Sequence, residues 1–171
     1  RNTTGIENTG AGYKTLHENT TGNYNAAVGS WAMYKTTTGK YNTALGSSAL
    51  YQNVIGEGNV AEGHGALYSN TTGSYNVGIG QVAGFLNSTG SFNVFIGRTA
   101  GFYETGSNKL YIANNPTTPL LYGEFSPTPA ENKLGVGTGT VAAGDAIAVW
   151  NGAHLTTGGV WTNASSRELK D

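Results

Sequence analysis

Cysteine is absent from the 171 residues, which removes disulfides and thiolate chemistry and leaves stability to backbone ladders and chain association. Charge is scarce as well. Asp, Glu, Lys and Arg make up 11% of the chain, against about 25% in an average globular domain, and the net charge is −1. No basic stripe is present to neutralise phosphates, so nucleic acid is not an expected partner. No apolar run approaches the ~18 residues of a membrane-spanning helix, and membrane insertion is not expected. The most apolar stretch, residues 135–150, is interrupted by glycines and by Asp145. No signal peptide is visible, and the chain opens within a repeat unit at Arg1, as a fragment would. Aspartate is missing from the repeats, whose carboxylates are Glu7, Glu18, Glu57, Glu62 and Glu104, while His17, His64 and His154 stand far apart. With no nucleophile elbow, phosphate loop or metal-ligand spacing, neither an enzyme nor a cofactor is expected.

What the chain has is glycine in register. Gly5, Gly22, Gly39, Gly56, Gly73 and Gly90 stand 17 residues apart, and a second series (Gly12, Gly29, Gly46, Gly63, Gly80, Gly97) follows seven residues behind. Asn8, Asn25, Asn42, Asn59, Asn76 and Asn93 sit three residues after the first series. A strict period of this length means one supersecondary unit stacked on copies of itself. Glycine twice per unit, with frequent Thr, Asn and Tyr, argues against a helix. Two short strands and two tight turns fit the length. In the unit centred on Gly39, residues 41–45 read as the first strand, Gly46 as a corner, and Ala49-Leu50-Tyr51 as a shorter second strand. The fold expected is all-β: a parallel β-solenoid (β-roll or β-helix) of six 17-residue coils over residues 1–106.

Stacking at ~4.8 Å per coil places equivalent residues in columns about 29 Å long. Ala32, Ala49, Ala66, Ala83 and Ala100 form a small-residue column that implies close backbone approach. Val28, Leu45, Ile79 and Ile96 form an aliphatic one. Tyr34, Tyr51, Tyr68, Phe85 and Phe102 form an aromatic ladder, with Tyr24, Tyr41, Tyr75 and Phe92 as a second. The asparagines can bond amide to amide. One coil encloses too little volume to bury all of this, so part of the apolar surface is expected to face other copies in a parallel homotrimer.

The fourth coil departs from the pattern. Asn53-Val54-Ile55 replaces the usual Thr-Thr turn, and Glu62 stands in the aliphatic column with His64 two residues on. A buried carboxylate is costly unless paired, so these two are the candidate ion or ligand positions, at a symmetry axis where copies of Glu62 or His64 would converge. The alternatives are a register-fixing polar plug or a side chain that turns outward. His17 falls on the first aromatic column and reads as its end.

After Gly106, one residue early, the unit dissolves. Residues 109–113, 120–125 and 133–138 read as strands, with an Asn/Pro turn at 114–119 and a Pro-containing link at 126–130. Residues 107–138 thus form a β-strand cap, and 139–171 a C-terminal β segment with further strands at 146–150 and 159–161. A cap is needed because an open solenoid end would template aggregation.

The Asn-x-Ala-Ile-Gly-like units resemble the head repeats of trimeric autotransporter adhesins, which are parallel β-rolls, although 17 residues is a longer spacing. Residues 161–171 (Trp-Thr-Asn-Ala-Ser-Ser-Arg-Glu-Leu-Lys-Asp) resemble the opening of an endosialidase-type intramolecular chaperone domain, and residues 110–114 (Leu-Tyr-Ile-Ala-Asn), 121–125 (Leu-Tyr-Gly-Glu-Phe) and 133–138 (Lys-Leu-Gly-Val-Gly-Thr) resemble what precedes it. That domain follows trimeric β-helical fibres of phages and phage-like injection systems. The resemblance implies a self-cleavage junction with Ser165 as the serine and Lys170 as the lysine. Ser166 stands where the family carries aspartate, and the chaperone body does not follow Asp171.

The function expected is that of a structural, receptor-binding segment of a tail fibre or surface adhesin. It would be extracellular, on a virion tail, an injection system or a bacterial surface, contacting a cell-surface polysaccharide or glycoprotein. Trp31, Tyr34, Tyr51 and Tyr68 are the candidate sugar contacts, since aromatic faces with polar tips suit stacking and hydrogen bonding. A polysaccharide depolymerase and an ice-binding solenoid, the latter suggested by the repeated Thr-Thr pairs, are the alternatives.

Overall fold

The computed structural model describes residues 2–142, 145–149, 154–156 and 161–162. Its strands form one continuous twelve-stranded sheet whose spatial order is the order of the chain. Seven parallel strands come first: β1 (Thr9–Ala11), β2 (Ala26–Val28), β3 (Thr43–Leu45), β4 (Val60–Glu62), β5 (Val77–Ile79), β6 (Val94–Ile96) and β7 (Lys109–Ile112). Each pairs with the next at a shift of one repeat, as Ala27 with Ala44 and Ala44 with Ala61. This is the parallel β-solenoid that the period predicts. It is carried one strand further, because Leu110 pairs with Val94 despite the missing residue.

Alternation along each strand sets the layers. The middle residue points into the coil, where Ala27, Ala61 and Phe95 are fully buried, and its two neighbours point out. The opposite wall is the alanine column, buried throughout from Ala32 to Ala100, followed by Met33, Leu50 and Leu67. The small-residue column is thus packed as its composition implied. Near the cap the large residue changes walls. Gly84 and Gly101 replace the leucine position and Phe95 replaces the small strand residue, with its ring against both glycines.

The expected second strand is not one. Residues 47–52 and their equivalents form a turn in which alternate residues are left-handed: Ser48 at φ 57° and Leu50 at φ 51°. Tyr41, read as the start of the first strand, is left-handed too (φ 59°). Left-handed backbone costs an L-residue about 1–2 kcal/mol. What holds it here is coil-to-coil bonding, since Met33 N–H donates to Ala49 O and Ser48 N–H donates to Ser30 O, each at 2.9 Å. Alternate turn amides are thus laddered to the neighbouring coils, while others, as Ala49 N–H to Gly46 O, close within the coil.

Two asparagine columns line the core. Asn42 Nδ2 donates to Asn25 Oδ1 (3.1 Å) and to Gly56 O (2.8 Å), while its own Oδ1 receives Asn59 N–H (2.9 Å). The second column, Asn19, Asn53, Asn70 and Asn87 with Thr36 in its gap, is buried as well and donates to the glycine carbonyl three residues on. That column was not singled out in the sequence.

Both columns end in charge at the cap. Lys109 takes the place of the next asparagine in the first, and Glu104 in the second, where it accepts Tyr111 Oη–H at 2.8 Å. Beyond β7 the sheet turns antiparallel through β8 (Leu121–Glu124) and β9 (Lys133–Val136), with a 3₁₀ turn at Pro129–Glu131 between them. Strand β10 (Asp145–Val149) then pairs parallel to β9, and β11 (His154–Thr156) and β12 (Trp161–Thr162) follow antiparallel. Of these, β11 falls where no strand was read.

Register places Glu124 between Lys109 and Lys133, and it bridges both at 3.0 Å while accepting Tyr122 Oη–H at 2.5 Å. The Tyr122 bond, aided by the two lysines, lowers the Glu124 pKa from 4.5 to about 2. A carboxylate whose folded pKa is depressed stabilises the fold above its unfolded pKa, and that contribution fades as pH falls through the folded one. Glu124→Gln is therefore expected to destabilise the cap near neutral pH, with the gap to wild type closing between about pH 4.5 and about pH 2. Urea midpoints of both proteins across that range check it, and a gap independent of pH overturns it.

Candidate functional site

The outward face of the strands is apolar and bare. Val28 is 44% exposed, Leu45 47%, and Ile79 and Ile96 37% each. Beside it run Tyr24, Tyr41, Tyr75 and Phe92, all exposed. Their left-handed backbone, two residues ahead of each strand, turns the rings outward, and Tyr24 and Tyr41 stack at 5.0 Å. This second ladder is interrupted at Gly58, over which the Tyr75 ring lies. Glu62 divides the aliphatic column, and an exposed surface of this kind is a candidate site of association.

The wall that follows the corner glycines carries the first ladder. His17, Tyr34, Tyr51, Tyr68, Phe85 and Phe102 stack at 5.0–5.3 Å with interplanar angles of 10° or less. They are half-buried, and His17 occupies the column end expected of it. Trp31, held left-handed at φ 63°, lies 5.0 Å from Tyr34 and 6.2 Å from Tyr51. The structure thus gathers all four candidate residues, Trp31, Tyr34, Tyr51 and Tyr68, into one surface, which Tyr13 extends by an edge contact to Trp31 at 5.5 Å.

Lys14 Nζ stands 4.7 Å over the Trp31 ring and Lys35 Nζ 5.9 Å over Tyr51. Burial, with neighbouring Tyr68 and Tyr34, pushes the Tyr51 phenol up, so its hydroxyl stays protonated and able to donate. Tyr13, Lys14 and Lys35 are neighbours of this surface that sequence reasoning missed, although Lys14 holds the Trp31 position one coil earlier, Tyr13 stands one residue before it and Lys35 one residue after Tyr34. Chemically the surface offers flat π faces, phenol tips and two cations, suited to apolar faces edged with hydroxyls.

Glu62 does not enter the core. It is exposed in the outward column between Leu45 and Ile79, and His64 is exposed in the loop beyond. Among the described residues no group of three His, Asp or Glu could hold a metal ion. Ser165 and Lys170 lie outside the described residues. No helix among the described residues is long and apolar enough to cross a membrane. The Thr-Thr pairs divide by role. The first hydroxyl donates to the next coil, as Thr20 Oγ1 to Thr37 O at 3.0 Å, and the second residue is exposed in a file broken by Ile55. Compared with models of protein families, with curated proteins and with solved structures, the chain matches none.

Proposed function

We propose that this chain is a segment of a trimeric tail fibre or surface adhesin that contacts cell-surface glycan. The observation that carries the reading is the pairing, on one stiff stack, of a bare apolar strand face with a separate ladder of coplanar aromatic rings. The first calls for copies of itself: six aligned strands place the same aliphatic column along each chain, and three such columns can close on one axis. The second leaves stacking faces outside that contact, with hydroxyl tips and lysines to receive the polar edges of a sugar. Glu62 would then sit among aliphatic side chains at the seam and fix the stagger of the copies.

Light scattering at micromolar concentration is expected to give a mass near three times 17.7 kDa, falling to one chain for the double variant Leu45→Glu/Ile79→Glu. A wild-type monomer would sink the fibre reading. On a glycan array, binding is expected to drop about tenfold for Tyr51→Ala, the loss of one stacking contact and one hydrogen bond. Retention of every bound glycan by both Tyr51→Ala and Trp31→Ala would remove the ladder as the contact.

A further inference from the structure

A second surface lies where the solenoid meets its cap. Lys109, Glu124 and Lys133 form a row across β7, β8 and β9, and the row floors a cleft of about 450 Å³. Phe125, 46% exposed, forms one side, with Ser107 and Glu131 completing the lining. The rim is built before any ligand arrives. Ser126 N–H donates to Asn132 Oδ1 at 2.6 Å, Ser126 Oγ donates to Glu131 Oε2 at 2.9 Å, and Phe125 N–H is fixed on Asn108 O at 2.8 Å.

The balance of donors and acceptors in the cleft is lopsided. Glu124 already receives Lys109 and Tyr122 on Oε1 and Lys133 on Oε2. Each ammonium has three donors. Lys133 spends one on Glu124, and Lys109 spends one there and a second, at 3.4 Å, on Tyr122 Oη. Ser107 Oγ accepts Ser91 N–H, which leaves its own proton to give. The floor therefore offers donors in excess, on lysine side chains that are three-quarters buried (24% and 27% exposed) and pinned by a shared carboxylate. Phe125 and the remaining oxygen of Glu131 line the same cleft, whose two lysines and two glutamates leave it formally neutral.

We propose that this cleft binds a carboxylate-bearing saccharide. The carboxylate takes the spare N–H groups of Lys133 and Lys109 in charge-assisted bonds, the sugar ring lies on Phe125, and a ring hydroxyl donates to Glu131. The volume suits one or two sugar rings. The site is distinct from the aromatic ladder and stands whether or not the ladder binds glycan.

Calorimetric titration of the whole chain with trigalacturonate tests it, with fully methyl-esterified trigalacturonate and acetate as comparison probes. Saturable binding is expected, weaker by about tenfold for the methyl ester, for Lys133→Gln and for Phe125→Ala, and unchanged for Thr21→Ala in the exposed threonine file. Phe125→Ala guards the test should Lys133→Gln disturb the fold. The proposal is overturned if wild type does not bind, if neither variant weakens binding, or if acetate binds as tightly as trigalacturonate.

Discussion

Gly46→Ala is expected to destabilise the solenoid by about 5 kcal/mol, roughly the sum of a left-handed backbone penalty and overpacking against main chain. Gly46 has φ 142°, and a Cβ there would sit 2.5 Å from Gly63 O and 2.6 Å from its carbonyl carbon. Neither atom belongs to a flexible side chain, so coils three and four would have to part, and with them the bond from Gly63 N–H to Leu45 O. Gly65→Ser is the matched control. Gly65 is also left-handed, at φ 64°, but Trp31 and Ser48 hold the same place in earlier coils at φ 63° and 57°. There earlier coils carry a side chain, and a Cβ at Gly65 would meet the Val82 side chain at 3.2 Å rather than main chain, so a loss within about 1 kcal/mol is expected. Urea unfolding at fixed protein concentration, followed by far-UV circular dichroism, compares the two. Equal losses would mean that coil spacing does not depend on the corner glycine.

Asn42→Ala is expected to cost about 3 kcal/mol. Alanine leaves Asn59 N–H without its acceptor and removes one of the two donors to Gly56 O, the other being Asn53 Nδ2, and an orphaned buried group costs about 1–3 kcal/mol. A cavity in the middle of the stack adds to this. Asn42→Asp should rescue little, since it restores the acceptor for Asn59 but puts a carboxylate against Gly56 O in a fully buried position. Thr43→Ala, one residue away on the exposed face, should stay within about 0.5 kcal/mol. The same unfolding measurement checks all three, and a loss below about 1 kcal/mol for Asn42→Ala would show that the asparagine column decorates the stack without holding it.

The solenoid was legible because identical residues recur at identical places, and a column of Ala, Asn or Tyr survives whatever backbone carries it. The path within one coil was not legible in the same way. Ser48, Leu50 and Tyr41 carry no local mark of left-handed geometry; they adopt it because the neighbouring coil bonds their own amides, a cause that lies 17 or so residues away. The second asparagine column hid behind Thr36 and behind the turn-forming reputation of Asn53 and Asn70. The gathering of Trp31 with Tyr34, Tyr51 and Tyr68 followed from column arithmetic. The cap cleft did not, since Lys109, Glu124 and Lys133 meet only through two antiparallel pairings outside the period.

The exchange of Phe95 for leucine has a consequence for how such a molecule can change length. In the coils before it, the strand side is small and the turn side is large, as Ala27 with Met33, Ala44 with Leu50 and Ala61 with Leu67. Deleting or duplicating 17 residues there keeps alanine on the strand side and a large residue on the turn side of the core, so length comes in whole steps, each of about 4.8 Å. A cut that removes Gly84 or Gly101 while keeping Phe95 sets a ring against a leucine in a space made for one of them. The stretch before the switch is thus the part of the gene in which gain and loss of repeats can proceed freely, and the stretch after it is inherited as a block with the cap.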